Sequence, residues 1–210
     1  WAEAAAAFGR AADHARGAQD PALPMLLGQA GNASLAAGDA AAAKTRFDEA
    51  LGVATITPNQ RGQTLIDRAR AHVQLGDGNA AQADLIQAQA LVPSEPMVWL
   101  FSATLARIQN DLDAAGEFID HALELDREHA AINLEAGNIA YRMNAPDIAR
   151  QAWVKASAND PEGAAGEAAR ANLAQLDAQM AENVPVDVRE NSLPAPAPEP
   201  SPPDQDAPQP

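Results

Sequence analysis

Residues that end helices recur along this chain at a nearly constant interval. Gly38, Gly76, Asn110 and Asn144 each close a helix-like stretch; the last two steps are 34 residues and the first is 38. All four are of the types that adopt the left-handed backbone conformation at a helix C-terminus. Asp39, Asp77 and Asp111 follow directly, where a carboxylate can cap the next helix. Ala145 departs from this pattern, and Pro146 then takes a first-turn position where proline is tolerated. Such punctuation predicts an array of helix–turn–helix units, none able to bury its apolar face without neighbours.

Side-chain size keeps the same register. Five residues past each turn residue stand Ala43, Ala81, Ala115 and Ala149, and twelve past it Ala50, Ala88, Ala122 and Ala156. Between them, nine past, stand Phe47, Leu85, Ile119 and Trp153. On the preceding helix a small residue recurs at Gly31, Ala69, Ala103 and Gly137; Leu27, Leu65 and Trp99 hold a large slot four residues earlier, from which Asn133 departs. This pattern predicts two helices crossing so closely that only a methyl fits at two points, with one bulky side chain between them. Composition agrees: Ala supplies 52 of 210 residues and aromatics only 4%. A sandwich or barrel would need short alternating runs of β-branched and aromatic residues instead.

The 34-residue helix–turn–helix pattern resembles the tetratricopeptide repeat. Trp99, Ala103, Ala115, Ile119 and Ala122 match its third copy, and Gly137, Ala149, Trp153, Ala156 and Pro161 its fourth; Pro93 fits the repeat-closing proline of the second. Thr55 and Arg127 depart at that closing place. The aromatic usual near the end of the first helix is replaced by Ser34, His72, Ala106 and Ala140. The resemblance implies an all-α fold, a right-handed superhelix of antiparallel helix pairs. Copies are expected at 24–57, 62–95, 96–129 and 130–163, with extra residues near Thr57 to Arg61 forming a loop. Residues 1–20 read as the second helix of an earlier copy, with Ala4, Phe8 and Ala11 in its packing slots, as in a fragment that begins inside a repeat. Residues 164–180 read as a terminal helix with Ala169, Leu173 and Leu176 on one face. The proline-rich, acidic stretch 181–210 reads as a disordered or polyproline-like tail.

Function classes narrow next. Fourteen Lys and Arg against 29 Asp and Glu give a net charge of −15, which argues against binding a phosphate backbone. There is no Cys, hence no disulfide framework and no thiolate metal site. No apolar run is long enough to span a bilayer. Gly76, Gly78 and Ala81 spell a dinucleotide-like string, but a helical pattern and not a strand precedes it. Asp111, Asp113 and Gly116 are spaced as in a calcium loop, whose twelfth position is here the apolar Ala122. His14, His72, His121 and His129 lack a convergent third ligand and read as surface histidines. The expectation is a protein that is no enzyme, with no cofactor and no metal.

What remains is a binding surface. The resemblance implies that the second, fifth, ninth, twelfth and thirteenth places of each copy face the concave side. These are Met25, Gly28, Asn32, Leu35 and Ala36; Gln63, Ile66, Arg70, Val73 and Gln74; Met97, Leu100, Thr104, Arg107 and Ile108; Ala131, Leu134, Asn138, Tyr141 and Arg142. The set holds three arginines and no acid, among Met, Leu, Ile, Val and Tyr. Adaptable apolar area with fork-shaped cations suits a peptide carrying acidic side chains or a C-terminal carboxylate. The expected function is therefore a non-catalytic protein-interaction scaffold, with Arg70, Arg107 and Arg142 as anion contacts. Alternatively, these arginines pair with acids of the same chain. The carboxylate clamp of chaperone-binding members is excluded, because Gly28, Asp67, Met97 and Phe101 occupy its places and only Asn32 matches. The tail acids Glu199, Asp204 and Asp206 are a candidate competitor that folds back onto the arginine face. A docking module of a larger enzyme is the alternative role. The resemblance to exported bacterial proteins favours the envelope or periplasm over the cytoplasm.

Overall fold

The computed structural model describes residues 1–182, most of them in helices: α1 (Ala2–Ala18), α2 (Leu23–Ala36), α3 (Ala40–Leu51), α4 (Pro58–Gln74), α5 (Gly78–Leu91), α6 (Pro96–Ile108), α7 (Leu112–Leu125), α8 (Ala130–Arg142), α9 (Pro146–Asn159) and α10 (Ala164–Glu182). Residues 1–173 form one compact unit; a second begins at Ala174, and its described part is the end of α10. The expected tail, and with it the idea that its acids fold back on the groove, lies outside the described residues from 183 onward.

The turn chemistry holds at each of the four hairpins. Gly38, Gly76, Asn110 and Asn144 have φ of 83°, 79°, 64° and 59°. The next residue closes each turn with a 2.9 Å backbone bond: Asp39 N to Ser34 O, Asp77 N to His72 O, Asp111 N to Ala106 O, Ala145 N to Ala140 O. The carboxylates of Asp39, Asp77 and Asp111 then accept from the backbone N–H of Ala42, Ala80 and Ala114. α9 has no such cap and starts on Pro146 instead. Gln19 also turns left-handed, with φ 53°, and ends α1.

The pairs α2/α3, α4/α5, α6/α7 and α8/α9 pack as the size pattern requires. All eight register alanines are 0% exposed. The bulky residues between them, Phe47, Leu85, Ile119 and Trp153, are 4% exposed or less. Partner sizes are matched pair by pair. A Cβ on Gly31 would collide with the Phe47 ring, and one on Gly137 with the Trp153 indole. The aliphatic Leu85 and Ile119 instead face hairpins whose partner residue is alanine, Ala69 and Ala103. The large slot shows a related economy. Trp99 Nε1 donates to Pro93 O at 2.8 Å, and Asn133 Nδ2 donates at 2.8 Å to Arg127 O, the carbonyl at the equivalent place. The Asn133 departure is thus a buried polar tether that still closes the repeat.

Successive pairs are not joined evenly. α2 contacts α4, α4 contacts α6 and α6 contacts α8, whereas no comparable contact joins α3 to α5, α5 to α7 or α7 to α9. The stack of residues 1–173 is therefore closed along its first helices and parted along its second ones.

Candidate binding groove

The face that the resemblance assigns to a partner is built from α2, α4, α6 and α8. Each of the first three begins with a proline near its N-terminus, where the missing N–H is not needed. Thr57 and Gln60 add a reciprocal capping box to α4, with bonds of 3.2 and 3.0 Å. These starts fix the rotation of each helix and hence which side chains reach the shared face.

That face is partly apolar. Met25, Ile108 and Tyr141 are exposed, and Val73, Met97, Phe101 and Leu134 are half-buried. The Tyr141 ring lies 5.7 Å from the Trp153 indole. Gly28 and Ala131 are half-buried, and Ala36 and Gln74 are exposed. Between α4 and α6 a notch of about 200 Å³ is lined by Arg70, Val73, Gln74, Phe101 and Thr104. Three sequence-predicted residues fall elsewhere. Leu35, Ile66 and Leu100 are 6%, 2% and 5% exposed and belong to the core. Closely packed first helices draw these places under the neighbouring element, so they offer a partner no side-chain surface.

The charge picture also needs correction. Arg70 bonds Asp67 at 3.0 Å, rests 5.3 Å over the Phe101 ring and reaches Asn32 at 3.5 Å; Asn32 Nδ2 in turn donates to Asp67 at 2.8 Å. Burial pushes the Asp67 carboxyl above its ordinary value, outweighing the bonds from Asn32 and Arg70. Arg107 grips Glu135 with two bonds, 2.6 and 3.3 Å. Asn138 donates to the same carboxylate at 3.1 Å while its oxygen accepts from Trp153 and Asn172. Gln63 bonds Glu95 at 3.0 Å, and Thr104 bonds its own helix at Leu100 O. Arg142 bonds an amide, Asn110 Oδ1, at 2.7 Å. Arg70 and Arg107 are therefore occupied by acids of the same chain, and the face is not acid-free.

The two acids, Asp67 and Glu135, both occupy the sixth place of a copy, one beyond the fifth place that the resemblance assigns to the concave side. The three-residue spacing of Asp67 and Arg70 on one helix was a readable signal. The Arg107–Glu135 pair joins different copies and carried none. Two histidines, His72 and His129, depart from the surface reading. His72 is 7% exposed, with Asp77 at 3.9 Å and Asp84 at 3.8 Å. His121 keeps a side chain 44% exposed, with its ring tilted by 59° and 4.1 Å from that of Trp99. His129 is half-buried at the start of α8, and its Nδ1 has no hydrogen-bond partner. Among the described residues no group of three or more His, Asp or Glu is placed to hold a metal ion, and no helix is long and apolar enough to cross a membrane.

No protein-family model matches the sequence. Solved structures do match the fold. A chain of the APC/C hetero-tetramer Cut9-Hcn1 superposes with a TM-score of 0.71 at 16% identity, over 84% of this chain and 34% of that one. This chain thus spans about a third of that protein's length. BtubC from P. vanneervenii matches with a TM-score of 0.64 at 15% identity, over 98% of both chains. YrrB, a TPR protein with an unusual peptide-binding site, matches with a TM-score of 0.56 at 20% identity, over 78% of this chain and 83% of its own. With the 34-residue register, the left-handed turns and the buried alanines already in place, these matches establish that the chain has the tetratricopeptide-repeat fold.

Proposed function

We propose that this chain is a non-catalytic scaffold that binds a peptide segment of a partner protein along α2, α4, α6 and α8. The observation that carries the reading is the notch between α4 and α6, lined by Arg70, Val73, Gln74, Phe101 and Thr104. It has room for one large apolar side chain, and exposed Ile108 and Tyr141 extend the apolar strip toward α8. The partner segment anchors an aliphatic or aromatic residue there. Recognition of a peptide in the matched protein YrrB is in keeping with this use of the fold.

An acidic side chain or C-terminal carboxylate on that segment meets Arg142, whose guanidinium among the described residues bonds a neutral amide, Asn110 Oδ1. Arg70 and Arg107 act instead as braces, each neutralised by a carboxylate of the chain. The test uses peptides selected on the whole chain from a displayed random library, measured by fluorescence anisotropy. Thr104→Trp fills the notch and should weaken them at least tenfold, about 1.4 kcal/mol. Arg142→Ala should lower affinity and flatten its salt dependence for peptides carrying an acid. Unchanged affinity with Thr104→Trp, in a variant that melts as the parent does, refutes the reading.

A further inference from the structure

One place in the repeat changes role from copy to copy. Eight residues past the turns stand Arg46, Asp84, Phe118 and Ala152, on the side of the second helix that faces the preceding copy. Arg46 spans the gap to α1, its guanidinium 3.4 Å from where a Cβ on Gly9 would lie, and Glu49 beside it bonds Arg16 of α1 at 2.6 Å. Asp84 accepts two bonds from Arg68, which bonds Asp48 of α3 at 2.8 Å, so a polar bridge fills the gap between α3 and α5. Phe118 stands in the gap between α5 and α7 and lines the pocket of about 190 Å³ that remains there beside Leu85 and Ile86. In the last gap the place holds only Ala152. A cleft of about 800 Å³ remains, walled by α7 and α9 and floored by α8, with Leu123, Ala136, Met143 and Ile148 on its surface. Ile148 is 61% exposed and Met143 49%.

We propose that this cleft is a second docking site, on the second-helix side of the stack, for an amphipathic helix of a partner protein. That helix seats a large apolar side chain over Ala152, where the preceding gap has Phe118. The occupant is a helix because the walls are helices whose backbone groups are satisfied internally. They offer an extended chain no backbone ladder to pair with, whereas a helix satisfies its own backbone. The lining of α7 runs from Gly116 toward Arg127, a length matched by about three helical turns at ~1.5 Å per residue. Charge sets the orientation. Asp120 and Glu124 stand one turn apart on the α7 wall, and no Lys or Arg bonds either among the described residues; His121 lies 3.8 Å from Glu124. The cations of the lining stand apart from this acidic pair, Lys155 on the α9 wall and Arg127 past the end of α7. The partner helix therefore carries Lys or Arg along the flank that meets α7.

The experiment selects binders to the whole chain from a displayed library of helical peptides of roughly four turns, with a fixed leucine stripe and random flanks. Recovered helices should carry Lys or Arg on one flank. Ala152→Phe, which copies the arrangement at Phe118, should weaken them at least tenfold while the chain still melts as the parent does. The surface double variant Asp120→Lys/Glu124→Lys should weaken them too, and Thr104→Trp, in the first-helix groove, should leave them unchanged. Recovery of no binders, binders indifferent to Ala152→Phe, or a dimer of this chain in sedimentation that Ala152→Phe abolishes would each overturn the proposal.

Discussion

Gly31→Ala adds one methyl group, and its sign tests the packing account. In an open helix interior, replacing Gly by Ala stabilises by roughly 0.5–1 kcal/mol, because the unfolded chain loses less freedom on folding. Gly28 supplies that reference on the same helix: a Cβ there meets nothing within 4 Å. At Gly31 the same methyl runs into the Phe47 ring, and Phe47 is 0% exposed, so the ring has nowhere to go. Overpacking of this kind costs about 1–3 kcal/mol, which outweighs the helix gain. Urea unfolding followed by far-ultraviolet circular dichroism should therefore place Gly28→Ala above the parent and Gly31→Ala below it, about 1–3 kcal/mol apart. The hairpins with Ala69 and Ala103 indicate the remedy, an aliphatic residue in the bulky slot. Phe47→Leu alone should cost on the order of 1 kcal/mol for the space it leaves. Combined with Gly31→Ala it should recover much of the loss, with a coupling of about 1 kcal/mol. Equal stability of Gly28→Ala and Gly31→Ala, or strict additivity in the double variant, would refute the size-matching argument.

Four further outcomes follow from the same structure. Ala149→Leu, at a fully buried crossing, should cost about 1–3 kcal/mol in the same assay. Arg107→Ala leaves the Glu135 carboxylate, whose side chain is 8% exposed, with the Asn138 amide but without its guanidinium, and should lower stability by about 2 kcal/mol, more than Arg142→Ala does at an exposed site. Burial raises the Asp67 carboxyl above 3.8 in the folded chain, so its favourable contribution is full below the unfolded value and lost as pH rises through the folded one. The urea midpoint of the parent relative to Asp67→Asn should accordingly climb as pH falls from neutral toward about 4. Asp48 behaves oppositely: burial raises its carboxyl, but hydrogen bonds from Lys44 and Arg68 bring it below 3.8, so its contribution is present above the unfolded value and lost as pH falls through the folded one. The parent relative to Asp48→Asn should weaken on acidification.

Much of this architecture was legible because small residues and turn residues act locally. Gly38 or Asn110 ends a helix by its own backbone preference, and Ala43 or Ala115 declares a close crossing by its size alone. The groove was less legible because its chemistry is shared between copies. Leu35, Ile66 and Leu100 occupy places that the family resemblance assigns to the groove, yet helix rotation places them inside. Arg107 reads as a free cation until Glu135, 28 residues away, is set beside it. The cleft beside Ala152 was invisible for a further reason. It arises from what a residue fails to fill, and one more alanine in a chain with 52 of them draws no notice.

The pairing of Gly31 with Phe47 and of Gly137 with Trp153 bears on how such an array can grow. A helix copied alone from the second hairpin into the first would bring Ala69 against an aromatic ring. A helix copied the other way would leave a void beside Leu85. The smallest segment that can be duplicated, transplanted or recombined without damage is therefore the whole hairpin, and lineages that shuffle these modules must inherit both arms together.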